Sequence, residues 1–176
     1  MRSRIVQFFR GILANPPDYK EQNMMNDLLP PNAQQAFYSM TTADQRHTLN
    51  VLADARRIAA ASHFDGDMDL LGRCCLLHDI GRGPRMDSFK KSYAVLFDKF
   101  FPRWARQNGQ APSHNPLKEM LYRYYQHPKI SHDILKEIGM EQEARIVLQH
   151  HSGDEGSLSA EEARILAILM QADEIN

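Results

Sequence analysis

Three observations predict an all-α fold for this 176-residue chain. Apolar residues recur at helical spacing, as in Val51, Leu52, Ala55 and Ile58. Two pairs, Thr42 with Gln45 and Ser159 with Glu162, have the spacing of a capping box. The alternating pattern of strands is absent, as are the regularly spaced Gly-rich turns that an all-β chain needs.

The elements follow in order. A short helix is predicted over about residues 3–14. It is amphipathic and basic, which suits a membrane surface, but packing of Ile5, Phe8, Phe9 and Ile12 on the domain is the preferred reading. Asn15–Pro31 holds two Pro-Pro pairs and reads as a connector. A long helix is expected from Thr42 through His47 to about Ser62. Asp65–Asp69 is a turn whose acids suit the start of the next helix. Leu70–His78 then reads as a helix buried on most sides, stopped by Gly81 and Gly83-Pro84.

Residues 84–115 look like an excursion. Phe89–Phe101 is a predicted helix with an aromatic face of Tyr93, Phe97, Phe100 and Phe101, and Gln107–Pro116 is a polar loop. Helices are expected at about 116–126, 128–138 and 141–151, and a last one from Ser159 to Asp173. The expected organisation is an N-terminal helix and connector, 1–41, packed on a domain at 42–176 with an insertion at about 84–115.

Composition narrows the function. Hydrophobic residues make up 43% of the chain, enough for an ordinary core. Net charge is −1 and the pI is near 6.7, which argues against stable nucleic-acid binding through a broad basic surface. No apolar run is long enough to span a bilayer, and the N-terminus lacks the core and cleavage site of a signal peptide. Cys74 and Cys75 are the only cysteines. Bridging neighbours strains the peptide between them, so buried, reduced thiols in a cytoplasmic protein are expected.

The chemistry is concentrated in His47, His78, Asp79, His127, His150, His151 and Asp173. His78-Asp79 ends an apolar run just before Ile80-Gly81, which places two metal-ligand types at a helix terminus beside the core. Adjacent helical residues point about 100° apart, so His150 and His151 can share a centre only near a helix end, which Gly153 supplies. Asp173 falls near a helix C-terminus, where a carboxylate is unfavourable without a compensating cation. His132-Asp133, with no helix break after it, reads as a decoy. His63 and His114 are assigned to the surface. Five imidazoles and two carboxylates exceed the needs of one tetrahedral zinc. They suit two divalent ions sharing a carboxylate, iron or manganese first, with zinc, cobalt or nickel as the other options.

At these residues the sequence resembles the HD-domain phosphohydrolase superfamily. Within it, the resemblance is to the HDIG branch, related to the HD-GYP and other cyclic-dinucleotide phosphodiesterases. The family order is a histidine, His-Asp, optional histidines and a distal aspartate on a helical bundle. Here His47, Cys-Cys-Leu-Leu-His78-Asp79-Ile80-Gly81-Arg82, His127-Pro128, His150-His151 and Gln-Ala-Asp173-Glu-Ile take those places, over about residues 42–176. The resemblance implies a first metal on His47, His78, Asp79 and Asp173, and a second on His127, His150 and His151, bridged by Asp79. Arg82 stands where relatives often carry a lysine and would face a phosphate.

Two departures bear on this. Ser-Gly-Asp-Glu-Gly after His151 is not the Gly-Tyr-Pro motif, and Ala43 replaces a glutamate that some relatives use for a third metal.

The expected function is a metal-dependent phosphohydrolase or phosphodiesterase acting on a small-molecule phosphoester, a nucleotide or a cyclic dinucleotide. Hydroxide attack would be promoted by two metals, with Asp79, Arg82 and Lys129 as catalytic residues. Arg85 is a further candidate for phosphate contact, and His132, read as a surface residue, could be a proton donor. The alternatives are a non-catalytic nucleotide-binding regulatory domain and a di-iron oxygenase. Oligomeric state is not written in the sequence.

Overall fold

The computed structural model describes residues 14–84, 86 and 88–176. The predicted helix at 3–14 and the candidate Arg85 lie outside these residues, Ala14 apart. Nine α-helices and one 3₁₀ turn, with no strand, make up the regular structure among the described residues. The helices are α1 Tyr19–Leu28, α2 Pro31–Tyr38, α3 Thr42–Ala61, α4 Met68–Leu77, α5 Ser88–Phe100, α6 Pro102–Asn108, α7 Pro116–Glu137, α8 Glu141–Leu148 and α9 Ala160–Ile175. The 3₁₀ turn, Ile80–Arg82, follows α4.

Helix α4 is the centre of the bundle. Leu70, Leu71, Gly72, Cys74, Cys75, Leu76 and Leu77 are buried, so the helix is apolar on most sides, with Arg73 turned out to pair with Glu143 of α8. Helices α1, α2, α3, α8 and α9 pack around it. Asp67 caps its N-terminus by accepting hydrogen bonds from the N–H groups of Asp69 and Leu70, both 2.8 Å. Its C-terminal end therefore delivers His78 and Asp79 into the middle of the protein. Both cysteines are free and buried, and burial pushes their thiols up, which makes them inert packing groups.

Four local differences from the sequence reading have physical causes. The segment read as a connector contains α1, because Asp18 and Glu21 form a reciprocal capping box just after the Pro-Pro pair. Met25, Leu29, Ala33 and Phe37 join the main core cluster, so α1 and α2 are packed elements. Helix α3 is capped one residue earlier than expected. Thr41, not Thr42, accepts from the N–H of Asp44, and Gln45 instead donates to the Met40 carbonyl at 3.0 Å. The polar loop begins later than expected, because Pro102 opens α6, a position where proline's missing N–H costs nothing.

The fourth difference is at Pro128, which does not break the chain into two helices but lies inside α7. Helices α5 and α6 rest on the first half of α7, where Met86, Ala94, Ala105, Met120 and Leu121 form a second, smaller apolar cluster. No helix among the described residues is long and apolar enough to cross a membrane.

Candidate metal centre

The seven ligand candidates come together. The metal-ligating atoms of His47, His78 and Asp173 lie within 4.8 Å of one another, and so do those of His127, His150 and His151. Asp79 stands between the two groups. Its Oδ2 is 3.7 Å from His47 Nε2 and 3.6 Å from His78 Nε2, and its Oδ1 is 3.4 Å from His127 Nε2. In the first group, Asp173 Oδ1 is 3.0 Å from His47 Nε2. In the second, the Nε2 atoms of His127 and His151 are 2.9 Å apart. Two nitrogens bonded at right angles to one ion, each at ~2.1 Å, would be ~3 Å apart.

Each buried imidazole is aimed by a carbonyl that lacks its helical donor four residues on. His78 Nδ1 is 2.9 Å from the Cys75 carbonyl at the C-terminal end of α4, and His150 Nδ1 is 2.6 Å from the Val147 carbonyl in the last turn of α8, which also accepts from the His150 N–H at 3.3 Å. The last carbonyls of a helix have no intrahelical donor. His127 lies inside α7, where the ladder should be complete, and there Pro128 supplies the exception. With no N–H, it cannot bond the Tyr124 carbonyl four residues back. His127 Nδ1 fills that place at 2.9 Å.

In all three, the Nδ1–H donates to a carbonyl, which leaves the Nε2 lone pair facing the centre. Substituting Pro128 with alanine adds an N–H that competes for Tyr124. We expect ~10-fold weaker affinity for the ion held by His127, measured by titration of metal-free protein, with the fold unchanged by circular dichroism.

His150 and His151 follow α8, which ends at Leu148, three residues earlier than predicted. The chain leaves this turn through Gly153 at φ +65°, a left-handed conformation that a side chain would strain. That turn lets two neighbouring imidazoles face one point, with His150 buried and His151 at the exposed rim.

Most of the charge states suit a cation; His78 is the exception, because the Asp79 and Asp173 carboxylates outweigh its burial and push the imidazole up. Burial opposes ionisation of Asp79, but the charged groups around it, the Arg82 guanidinium foremost, outweigh it and hold the carboxyl well below the usual range. Burial likewise opposes ionisation of Asp173, and His47 and His78 overcome it. Burial, reinforced by Arg82, keeps His127 neutral, and burial with the nearby His78 and His151 pushes His150 down to about 3. Ionised carboxylates and neutral imidazoles are the forms that bind metal.

The fit to metal ions rests on the unpartnered atoms. Among the described residues, the buried side-chain nitrogens and oxygens without a hydrogen-bond partner are His47 Nε2, His78 Nε2, His150 Nε2 and both oxygens of Asp79. Buried polar atoms are almost always satisfied, because desolvating one without a partner is costly. Here the exceptions converge on one place and are all metal-ligand types. Arg82 Nε approaches Asp79 Oδ1 to 2.8 Å, an ion pair in which no N–H is aligned on the oxygen.

Not every candidate is gathered in. Lys129, two positions past His127 and so about 200° around the helix, pairs with Asp133 at 3.1 Å on the exposed face of α7. His132 is 2.8 Å from Asp133 on the same side, so the second His-Asp dipeptide takes no part in the cluster.

Two residues beside the centre were not singled out in the sequence. Asp44 is fully buried, accepts from the Thr41 hydroxyl at 2.7 Å and from the Lys91 ammonium, and lies 4.0 Å from Arg82 NH1. Asp44 sits one turn before His47, a signal of sorts. Lys91 comes from α5, and its pairing is tertiary, so nothing local announces it.

Residues 45–175 match the family model for the HD domain. Searches of curated proteins and of solved structures gave no match. The matched region covers most of the sequence and contains every one of the clustered histidines and aspartates, and on that ground the chain belongs to the HD-domain family.

Proposed function

We propose that this protein is a two-metal phosphohydrolase acting on a nucleotide or cyclic-dinucleotide phosphoester. The carrying observation is the placement of Asp79, with one carboxylate oxygen toward His47 and His78 and the other toward His127. A carboxylate so placed between two ligand groups is the arrangement a bridged metal pair requires. Membership of a family whose activities are commonly hydrolytic supports the same reading.

In this proposal His47, His78, Asp79 and Asp173 hold one ion, and Asp79, His127, His150 and His151 hold the other. Such ions acidify water into a nucleophile at neutral pH and neutralise charge on phosphoryl oxygens. The remaining work falls to the chain. Arg82 Nε lies 2.8 Å from Asp79 Oδ1, which sets the guanidinium beside the centre, where it can meet a phosphoryl oxygen. Asp44 lies between Arg82 and Lys91 and offsets their mutual repulsion, so two cations can stand side by side where phosphate charge arrives. Lys129, paired on the opposite face of α7, is left out of the catalytic set.

The test is elemental analysis of protein loaded with iron or manganese, coupled to a panel of phosphoesters that includes cyclic dinucleotides, diadenosine polyphosphates and nucleoside monophosphates. Two ions per chain and release of phosphate or a monoester are expected. Full metal loading with nucleotide binding but no product would turn the reading toward a regulatory domain. A requirement for oxygen would turn it toward an oxygenase. His127→Ala is expected to empty the second site selectively and leave about one ion per chain. An unchanged metal content would remove His127 from the site.

A further inference from the structure

We propose that the α5–α6 elbow is a docking surface for an anionic lipid membrane. The starting observation is where exposed apolar groups fall. Nine large hydrophobic side chains are exposed among the described residues, and five of them lie in this short segment: Tyr93 at 58%, Leu96 at 47%, Phe100 at 63%, Phe101 at 60% and Trp104 at 42%. Scattered exposed hydrophobics need no explanation, but a contiguous set does.

The geometry of α5 makes the set contiguous. Tyr93, Leu96 and Phe100 follow the i, i+3, i+7 spacing of one helix face. They are exposed, whereas Ala94 and Phe97 face the small core against α7. The helix thus carries two apolar faces and only one of them is packed. The turn at Phe101-Pro102 sets Phe101 and Trp104 beside the end of that exposed stripe. Phe97 lies beneath, its ring centroid 5.7 Å from that of Trp104.

Charge decides the occupant. From Ser88 to Asn108 the chain has five Lys or Arg and a single acid, Asp98. That acid is already engaged, accepting from the Tyr125 hydroxyl at 2.7 Å and lying 3.8 Å from Arg106 Nε. Lys91 is turned inward to Asp44, but Lys99, Arg103 and Arg106 are exposed among the aromatics, and Lys99 Nζ lies 5.5 Å from the Phe100 ring centre. Protein–protein interface cores are depleted in lysine. Aromatic rings interleaved with lysine and arginine suit the lipid headgroup boundary, where rings enter the acyl edge and cations meet anionic headgroups.

The test is co-sedimentation of the full chain with phosphatidylcholine vesicles, with and without phosphatidylserine. The protein is expected to sediment with the phosphatidylserine vesicles and to be released by added salt. F100S/F101S/W104S is expected to lower the partition coefficient by ~10-fold or more, and K99E/R103E to abolish the preference for phosphatidylserine. These side chains are exposed, so thermal midpoint and metal content should match the parent protein and serve as the folding control. Failure of the parent to bind phosphatidylserine vesicles, or equal binding by the triple aromatic variant, overturns the proposal. A parent dimer that the triple variant converts to monomers, without vesicle binding, also overturns it and assigns the elbow to self-association.

Discussion

Replacing Asp79 with alanine is expected to strip both ions from the protein and to lower phosphoester turnover by about 10³-fold or more, since each bound cation supplies several kcal/mol of charge stabilisation. Among the described residues, no other side chain has one oxygen toward His47 and His78 and another toward His127. Loss of Asp173 alone would remove an anion from one group only. Loss of Asp79 removes the anion common to both, and leaves the half-buried Arg82 beside the centre without its nearest carboxylate. Its guanidinium then adds repulsion to any entering cation. Elemental analysis decides the matter. A full metal complement in Asp79→Ala would reject the two-ion assignment whatever the activity.

The second large effect is expected at Gly81, which offers no ligand atom of its own. A Cβ there would lie 2.3 Å from the His127 carbonyl oxygen and 2.7 Å from the Ser131 nitrogen. These are backbone atoms of α7, so no side chain can swing aside. The close approach is held by the Gly81 N–H, which donates to the Ser131 hydroxyl at 2.9 Å, and by that hydroxyl, which donates to the His78 carbonyl at 2.8 Å.

Gly81→Ala must therefore push α7 off the His-Asp turn and draw His127 away from Asp79. A loss of about 3 kcal/mol is expected in urea unfolding, at the upper end for inserting one buried methyl group, together with loss of the second ion. An unchanged unfolding midpoint with two ions bound would show that the 3₁₀ turn can yield instead.

Much of the centre was legible because ligand chemistry restricts residue type. A histidine before His-Asp, paired histidines before a glycine and an aspartate near a helix end are recognisable in order. Helix ends were legible where a cap was strong, as at Ser159, whose capping box with Glu162 is formed.

Other features were hidden for identifiable reasons. The sequence reading parted this stretch into helices at about 116–126 and 128–138, with Pro128 opening the second. The helix continues, and the freed carbonyl becomes the anchor that orients His127. Lys129 looked close to His127 along the chain, yet neighbouring helical residues point in different directions. The Asp44–Lys91 pair joins residues from separate elements, which no local pattern encodes. Helix α1 was masked by the flanking Pro-Pro pairs, although Asp18 and Glu21 already marked its start.

The order in which the ligands occur along the polypeptide bears on when metal can be taken up. His127, His150, His151 and Asp79 have all been synthesised before α9 begins, whereas the other group draws on Asp173 near the end of that helix. A nascent chain on the ribosome thus lacks one carboxylate of the His47 group until α9 emerges and docks against α3 and α4. On the two-ion reading, that group would be complete only once α9 has docked.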